Sequence, residues 1–248
     1  MGSPFRPASE AATTSDSRPP AARLVQGRNG VVPGRFGFKL HGSHQGANMT
    51  FRRATAGLLL ALACLAAAPP VSAQTTVVST FNAGVQKYRK GDLDGAIAEF
   101  TRVIELKPDH WKAYSSRGVA RRDKGDLQGA LKDHSRAIEI NPRNAGAYSN
   151  RGVVYRDLGD PDHALADYST ALAMDPSDWW TYNNRGVIRA DRKDYAAAIE
   201  DFSRAIALSP TYAEAWFNRS VCRKQKGDLE GAKADRAKAI ELDPKFSR

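Results

Sequence analysis

The chain has 248 residues, 37 Lys and Arg against 27 Asp and Glu, and two cysteines, for a net charge of +10. The basic excess lies at the start: residues 1–73 hold 8 basic and 2 acidic side chains, and the remainder, at 29 against 25, mixes both signs and offers no basic stripe for nucleic acid. Cys64 falls in a segment read below as cleaved, which leaves Cys222 alone and excludes an internal disulfide in the mature chain.

Residues 1–48 are rich in Pro, Gly, Ser and Arg and show no apolar period, so they cannot bury enough surface to offset the entropy of ordering. They are expected to be disordered, or to be an extension assigned ahead of the true start at Met49. From there the pattern changes. Phe51-Arg52-Arg53 is a short basic region, and Ala54 to Ala68 is an apolar run broken only by Thr55 and Gly57. Pro69-Pro70 stops a helix, and Val71-Ser72-Ala73 offers small residues before Gln74. That is the order of a secretory signal peptide over 49–73, cleaved after Ala73. The apolar run is shorter than the ~20 residues that span a bilayer, so no membrane span is expected in the mature chain. Two alternatives stay open: an uncleaved anchor, and a lipoprotein attached through Cys64, whose Ala61-Leu62-Ala63-Cys64 box is imperfect.

From residue 77 the chain repeats. Pro108, Pro142, Pro176, Pro210 and Pro244 are each 34 residues apart. Ala96, Ala130, Ala164, Ala198 and Ala232 keep the same period, as do Phe100, His134, Tyr168 and Phe202, with Arg236 last. The repeats run 77–110, 111–144, 145–178, 179–212 and 213–246 without an insertion. A fixed period of this size means a stacked array.

Each repeat predicts two helices. The first ends near Gly91, Gly125, Gly159, Lys193 or Gly227, where glycine takes a left-handed conformation at no steric cost. Asp92, Asp126, Asp160, Asp194 and Asp228 follow as N-caps of the second, with Pro161 in its first turn. The second helix stops before the closing proline. Tyr148, Gly152 and Tyr155 share one face of their helix, and the glycine admits close approach of the alanine and aromatic of the second helix. Neither helix buries its face alone, so stability comes from stacking neighbours. In the last repeat Lys233 and Arg236 replace an apolar and an aromatic residue, a polar end for the array.

On these residues the chain from about 77 to 246 resembles the tetratricopeptide repeat family, with its 34-residue period and its large–small–aromatic–alanine–aromatic–proline pattern. The resemblance implies an all-α, right-handed superhelical solenoid of five helix-turn-helix repeats, whose first helices line a concave groove.

The sixth residues of the repeats, Asn82, Ser116, Asn150, Asn184 and Asn218, lie on a stripe roughly opposite the tyrosine–glycine seam. Beside them run the ninth residues, Val85, Val119, Val153, Val187 and Val221. An amide side chain matches a peptide group in donors and acceptors, so the row could hold an extended chain with little regard to its sequence. It resembles the groove asparagines of O-linked GlcNAc transferase repeats, although no transferase domain is present. The competing reading is that the asparagines bond neighbouring helices and the valines pack between repeats. Trp180 and Phe217 are candidate anchors on the same face, or packing residues at repeat junctions. A second row, Arg117, Arg151, Arg185 and Arg219, is matched by Asp133, Asp167, Asp201 and Asp235 in the second helices. These are read as ion pairs tying helices together, with an anion-binding groove as the alternative.

Catalysis is not expected. His110, His134 and His163 share no metal-site spacing, Cys222 has no evident partner, and there is no phosphate loop or serine elbow. No cofactor is expected. The reading is of an exported scaffold in the bacterial periplasm that binds a protein or extended peptide in its groove. The alternative is a structural module of the envelope that self-associates through its outer surface.

Overall fold

The computed structural model describes residues 71–247. The expected extension 1–48, Cys64 and all but the last three residues of the expected signal segment lie outside them. Five helical hairpins follow one another: α1 (Val71–Arg89) with α2 (Leu93–Leu106), α3 (Trp111–Lys124) with α4 (Leu127–Ile140), α5 (Ala145–Asp157) with α6 (Pro161–Met174), α7 (Trp179–Asp191) with α8 (Tyr195–Leu208), and α9 (Ala213–Gln225) with α10 (Leu229–Leu242). A short 3₁₀ turn, Pro244–Ser247, closes the described chain. The helices α3, α5, α7 and α9 begin one sequence period apart. The first is longer, because α1 starts at Val71 and carries Val71-Ser72-Ala73 in its opening turn.

The hairpin turns are built by local chemistry. In every one an aspartate carboxylate accepts the backbone N–H three residues on, at 2.8 Å for Asp92 with Gly95 and 3.2 Å for Asp194 with Ala197. Before that aspartate the backbone turns left-handed. Glycine does this in four hairpins, and Lys193 does it with φ 64° in the other. Each second helix is C-capped by the residue before the closing proline, which is pushed out of the helical region, as at Lys107 with φ −145° and ψ 88°.

Within a hairpin the helices meet at the small residues. A Cβ added to Gly152 would lie 2.7 Å from a ring carbon of Tyr168, so the ring fills the space a side chain would need. Alanines complete the contact: Ala96, Ala130, Ala164 and Ala198 have no exposed surface. Between hairpins, Leu165 packs with Ile188 and Ile199 with Cys222, each reaching the first helix of the next repeat. The first helices also touch one another, α1 with α3, α3 with α5 and α7 with α9, which puts them on the inside of the curve.

Each end carries polar side chains at places where the interior hairpins carry covered apolar ones, although Val78 and Leu229 are exposed there as well. Ser79 and Gln86 on α1 are exposed at the places where later first helices bury Ala113 and Ala120, or Ala215 and Cys222. At the far end Lys233 is exposed at the place where Ile97, Leu131, Leu165 and Ile199 are covered by the next repeat. Among the described residues no helix is long and apolar enough to cross a membrane.

Candidate functional site

Two rows of polar side chains run the length of the array. The first joins the helices. Arg117 grips Asp133 with two nitrogens at 2.9 and 2.8 Å, and its third nitrogen donates to Thr101 of the preceding hairpin at 2.9 Å. The same three bonds recur from Arg151 to Asp167 and Ser135, from Arg185 to Asp201 and Ser169, and from Arg219 to Asp235 and Ser203. Each guanidinium also lies over the aromatic ring one turn before it, 5.6 Å from Tyr148 for Arg151 and 5.0 Å from Trp216 for Arg219. The aspartates are buried, so these are charge-assisted bonds in a low-dielectric interior. Bonding to Asp167 holds the Arg151 guanidinium above its ordinary pKa.

A second set of arginines, one turn further along each first helix, escaped the sequence reading. Arg121, Arg189 and Arg223 donate to Asp133, Asp201 and Asp235 at 2.9 to 3.0 Å. Tyr155 takes that place in the third hairpin, and Asp167 is left with Arg151. The first hairpin has Ala83 in place of the leading arginine, and there Lys87 pairs with Glu99 at 2.7 Å. The signal was present as an arginine four residues after the first, at one place in three repeats. The hydroxyl row of Thr101, Ser135, Ser169 and Ser203 was readable by the same periodicity.

The second row is the inner face of the first helices, and here the structure corrects several expectations. Asn82 is exposed, and Asn150 and Val119 are half-buried. Val153 and Val187 are 1 % exposed and pack into the clusters around Tyr168 and Phe202, which is the packing role weighed above as the competing reading. Asn218 is fully buried and its amide donates to Asn183 Oδ1 at 3.2 Å, within a network that reaches the Tyr212 hydroxyl. Phe217 is also buried: the closing turn folds back and stacks Phe246 on its ring at 4.9 Å. Trp180 is half-buried against the cluster around Tyr168 and Ile188. Phe217 is therefore committed to packing, whereas Trp180 packs on one side and keeps part of its surface. The helical wheel gives the face of each residue but not how far the neighbouring helix leans over it.

One amide of the row remains unsatisfied. Asn184 is 4 % exposed; its Oδ1 accepts from Arg156 Nη1 at 3.1 Å, and its Nδ2 has no partner among the described residues. An unpaired buried donor costs about 1–3 kcal/mol, which an acceptor supplied from outside would relieve. The charges beside it are arranged unevenly. Arg122 pairs with Asp123, which also accepts from the Tyr88 hydroxyl, and Arg156 pairs with Asp157 at 3.0 Å. In the next hairpin the arginine's place is taken by Ala190, buried against Cys222, and no hydrogen bond or ion pair from the described residues reaches the side chain of the exposed Asp191. Burial on one side raises the Asp191 pKa, with the charge of Arg156 acting in the opposite sense.

Cys222, His134 and His110 are engaged in packing and capping. Burial pushes the Cys222 thiol up to about 12, and the charge of Asp191 adds to the shift. His134 is buried under Gly118, and His110 caps α3 by accepting from Ala113 N–H at 3.1 Å. Among the described residues no three His, Cys, Asp or Glu side chains gather as a metal set.

Comparison with known proteins follows the same residues. Tetratricopeptide repeat profiles match residues 149–213 and 189–245 and, separately, 81–110, and a TPR repeat profile matches 120–159. Solved structures share the architecture. PilF of Pseudomonas aeruginosa aligns with a TM-score of 0.65 at 15% identity, over 69% of this chain and 78% of its own. MamA from Desulfovibrio magneticus RS-1 aligns with a TM-score of 0.61 at 19% identity, over 68% of this chain and 96% of its own. YrrB, described as a TPR protein with an unusual peptide-binding site, aligns with a TM-score of 0.56 at 21% identity, over 70% of this chain and 90% of its own. At these identities the likeness is one of fold. No curated protein sequence matches the chain.

Proposed function

The chain belongs to the tetratricopeptide repeat family, and from that membership we propose that it is a non-catalytic scaffold that binds a protein segment, in extended form, along its concave face. The observation that carries the reading is the Asn184 amide, buried on that face with a donor that has no acceptor among the described residues. A main-chain carbonyl of a bound segment is the natural partner of such a group. Asn82, Val119 and Asn150 extend the same face with reachable surface. The expected contact set narrows to these, Trp180 and Asn184, because Val153, Val187, Phe217 and Asn218 are committed to packing. The fold likeness to YrrB, a protein described by its peptide-binding site, points the same way.

Export completes the proposal. Its support is the basic, apolar and small-residue order over 49–73, which reads as a signal for secretion to the bacterial periplasm.

The test is selection of a random-peptide display library on the full chain, followed by titration of the enriched peptides. Saturable binding is expected, and Asn150→Ala combined with Asn184→Ala should weaken it by tenfold or more, at roughly 1–1.5 kcal/mol per lost main-chain bond. Melting curves of both proteins guard against simple unfolding. A selection that yields no saturable binder would overturn the groove reading. For export, the N-terminus of the secreted form should be Gln74; an intact Met49 start in the cell envelope would overturn cleavage.

A further inference from the structure

The inner face is not uniform along the array, and the place where it changes is α7. In the second and third hairpins the twelfth residue of the repeat is an arginine that neutralises the aspartate beside it, Arg122 for Asp123 and Arg156 for Asp157. In α7 that residue is Ala190, turned inward and packed with Val187 and Cys222. Asp191 is exposed and has no ion pair among the described residues. Seven residues earlier, on the same face of the same helix, stands Asn184. Its carbonyl oxygen is held by Arg156, which turns its amide nitrogen the other way, buried and unpartnered. One helix face thus presents an exposed acceptor of negative charge and a buried donor without a partner among the described residues. They lie about 10 Å apart along the axis, at ~1.5 Å per residue.

We propose that this pair is a specificity pocket for a lysine or arginine of the bound segment. The residue's main-chain carbonyl accepts from Asn184 Nδ2, and its cationic side chain runs along α7 to Asp191. Resting on the groove reading above, the assignment adds the chemical class of the ligand and its register. The other hairpins lack the combination. Asp123 and Asp157 are already paired, and the fifth hairpin has Gln225 in place of the aspartate. A single basic residue is therefore read at one point of an otherwise sequence-tolerant groove. An acidic residue there would meet Asp191 at close range and be rejected.

The experiment uses the peptides enriched on the full chain by display, resynthesised with each basic residue replaced in turn by norleucine. One position should stand out, with affinity falling about tenfold or more when its charge is removed, as for other close interfacial charge pairs. Asp191→Asn, an isosteric change at an exposed site, should cause the same loss for the parent peptide and none for the norleucine peptide. The salt dependence of binding should shrink in that variant as well. If peptides bind, and lose affinity in the Asn150→Ala, Asn184→Ala protein, but are indifferent to norleucine and to Asp191→Asn, the pocket is wrong and the groove stands. If no peptide binds, both fall.

Discussion

His134 takes the place in α4 that Phe100, Tyr168 and Phe202 hold in their own helices, and it does so with neither ring nitrogen bonded to any of the described residues. Burial is the main cause of its low pKa, pushed down to about 3, and Arg122 and Arg151 nearby disfavour the charged ring further. An unfolded histidine titrates near ~6.5, so between there and about 3 the unfolded chain holds a proton that the folded one refuses. The folded state is therefore favoured above pH 6.5 and loses about 1.4 kcal/mol for each unit of acidification below it. His134→Phe restores the ring used in the neighbouring hairpins. It should raise the melting temperature at neutral pH and flatten its decline between pH 6.5 and 4. Thermal melts of the two proteins across that range are the check, since their carboxylates contribute the same background to both. Equal slopes would mean that the imidazole finds a partner when the protein is acidified.

At the scale of the helix, the ion pairs are not equivalent from hairpin to hairpin. Asp201 holds Arg185 and Arg189, whereas Asp167 holds Arg151 alone. Removing the carboxylate strands two guanidiniums in the fourth hairpin and one in the third. Asp201→Ala should cost about 3–5 kcal/mol, the usual penalty for breaking a buried pair, and Asp167→Ala less. Urea unfolding would rank them, and an equal cost would show that the second arginine contributes little. These elements also mark what the sequence could and could not disclose. The prolines, the capping aspartates and the alanine–aromatic pairs act through bonds and contacts within one hairpin, and the 34-residue period exposes them directly. The groove residues depend on the tilt of one hairpin on the next, which no single hairpin encodes. Asn82, Asn150, Asn184 and Asn218 look alike in the alignment of repeats, yet they range from exposed to fully buried. Asp191 stands out only once Ala190 is seen to face Cys222.

At the scale of the whole molecule, the first and last described helices differ from the interior ones in the side chains they leave uncovered. Ser79 and Gln86 face outward at one end and Lys233 at the other, where an apolar surface would invite a second array. The chain should sediment as a monomer, whereas Ser79→Ala, Gln86→Ile and Lys233→Ile together should assemble head to tail as concentration rises, an open contact that does not close on itself. Analytical ultracentrifugation distinguishes the two, and self-association of the unaltered chain would favour the reading of an envelope module built through its outer surface. The arginine row carries one more consequence. Each arginine reaches its aspartate 16 residues ahead and its hydroxyl 16 residues behind, as Arg151 does with Asp167 and Ser135. Because the stride is the same in four successive hairpins, taking out one whole period would hand Arg185 the hydroxyl of Ser135 in place of Ser169, with its own aspartate unchanged. Length is thus a quantity this chain can gain or lose in units, like marks on a ruler, without any junction having to be invented anew.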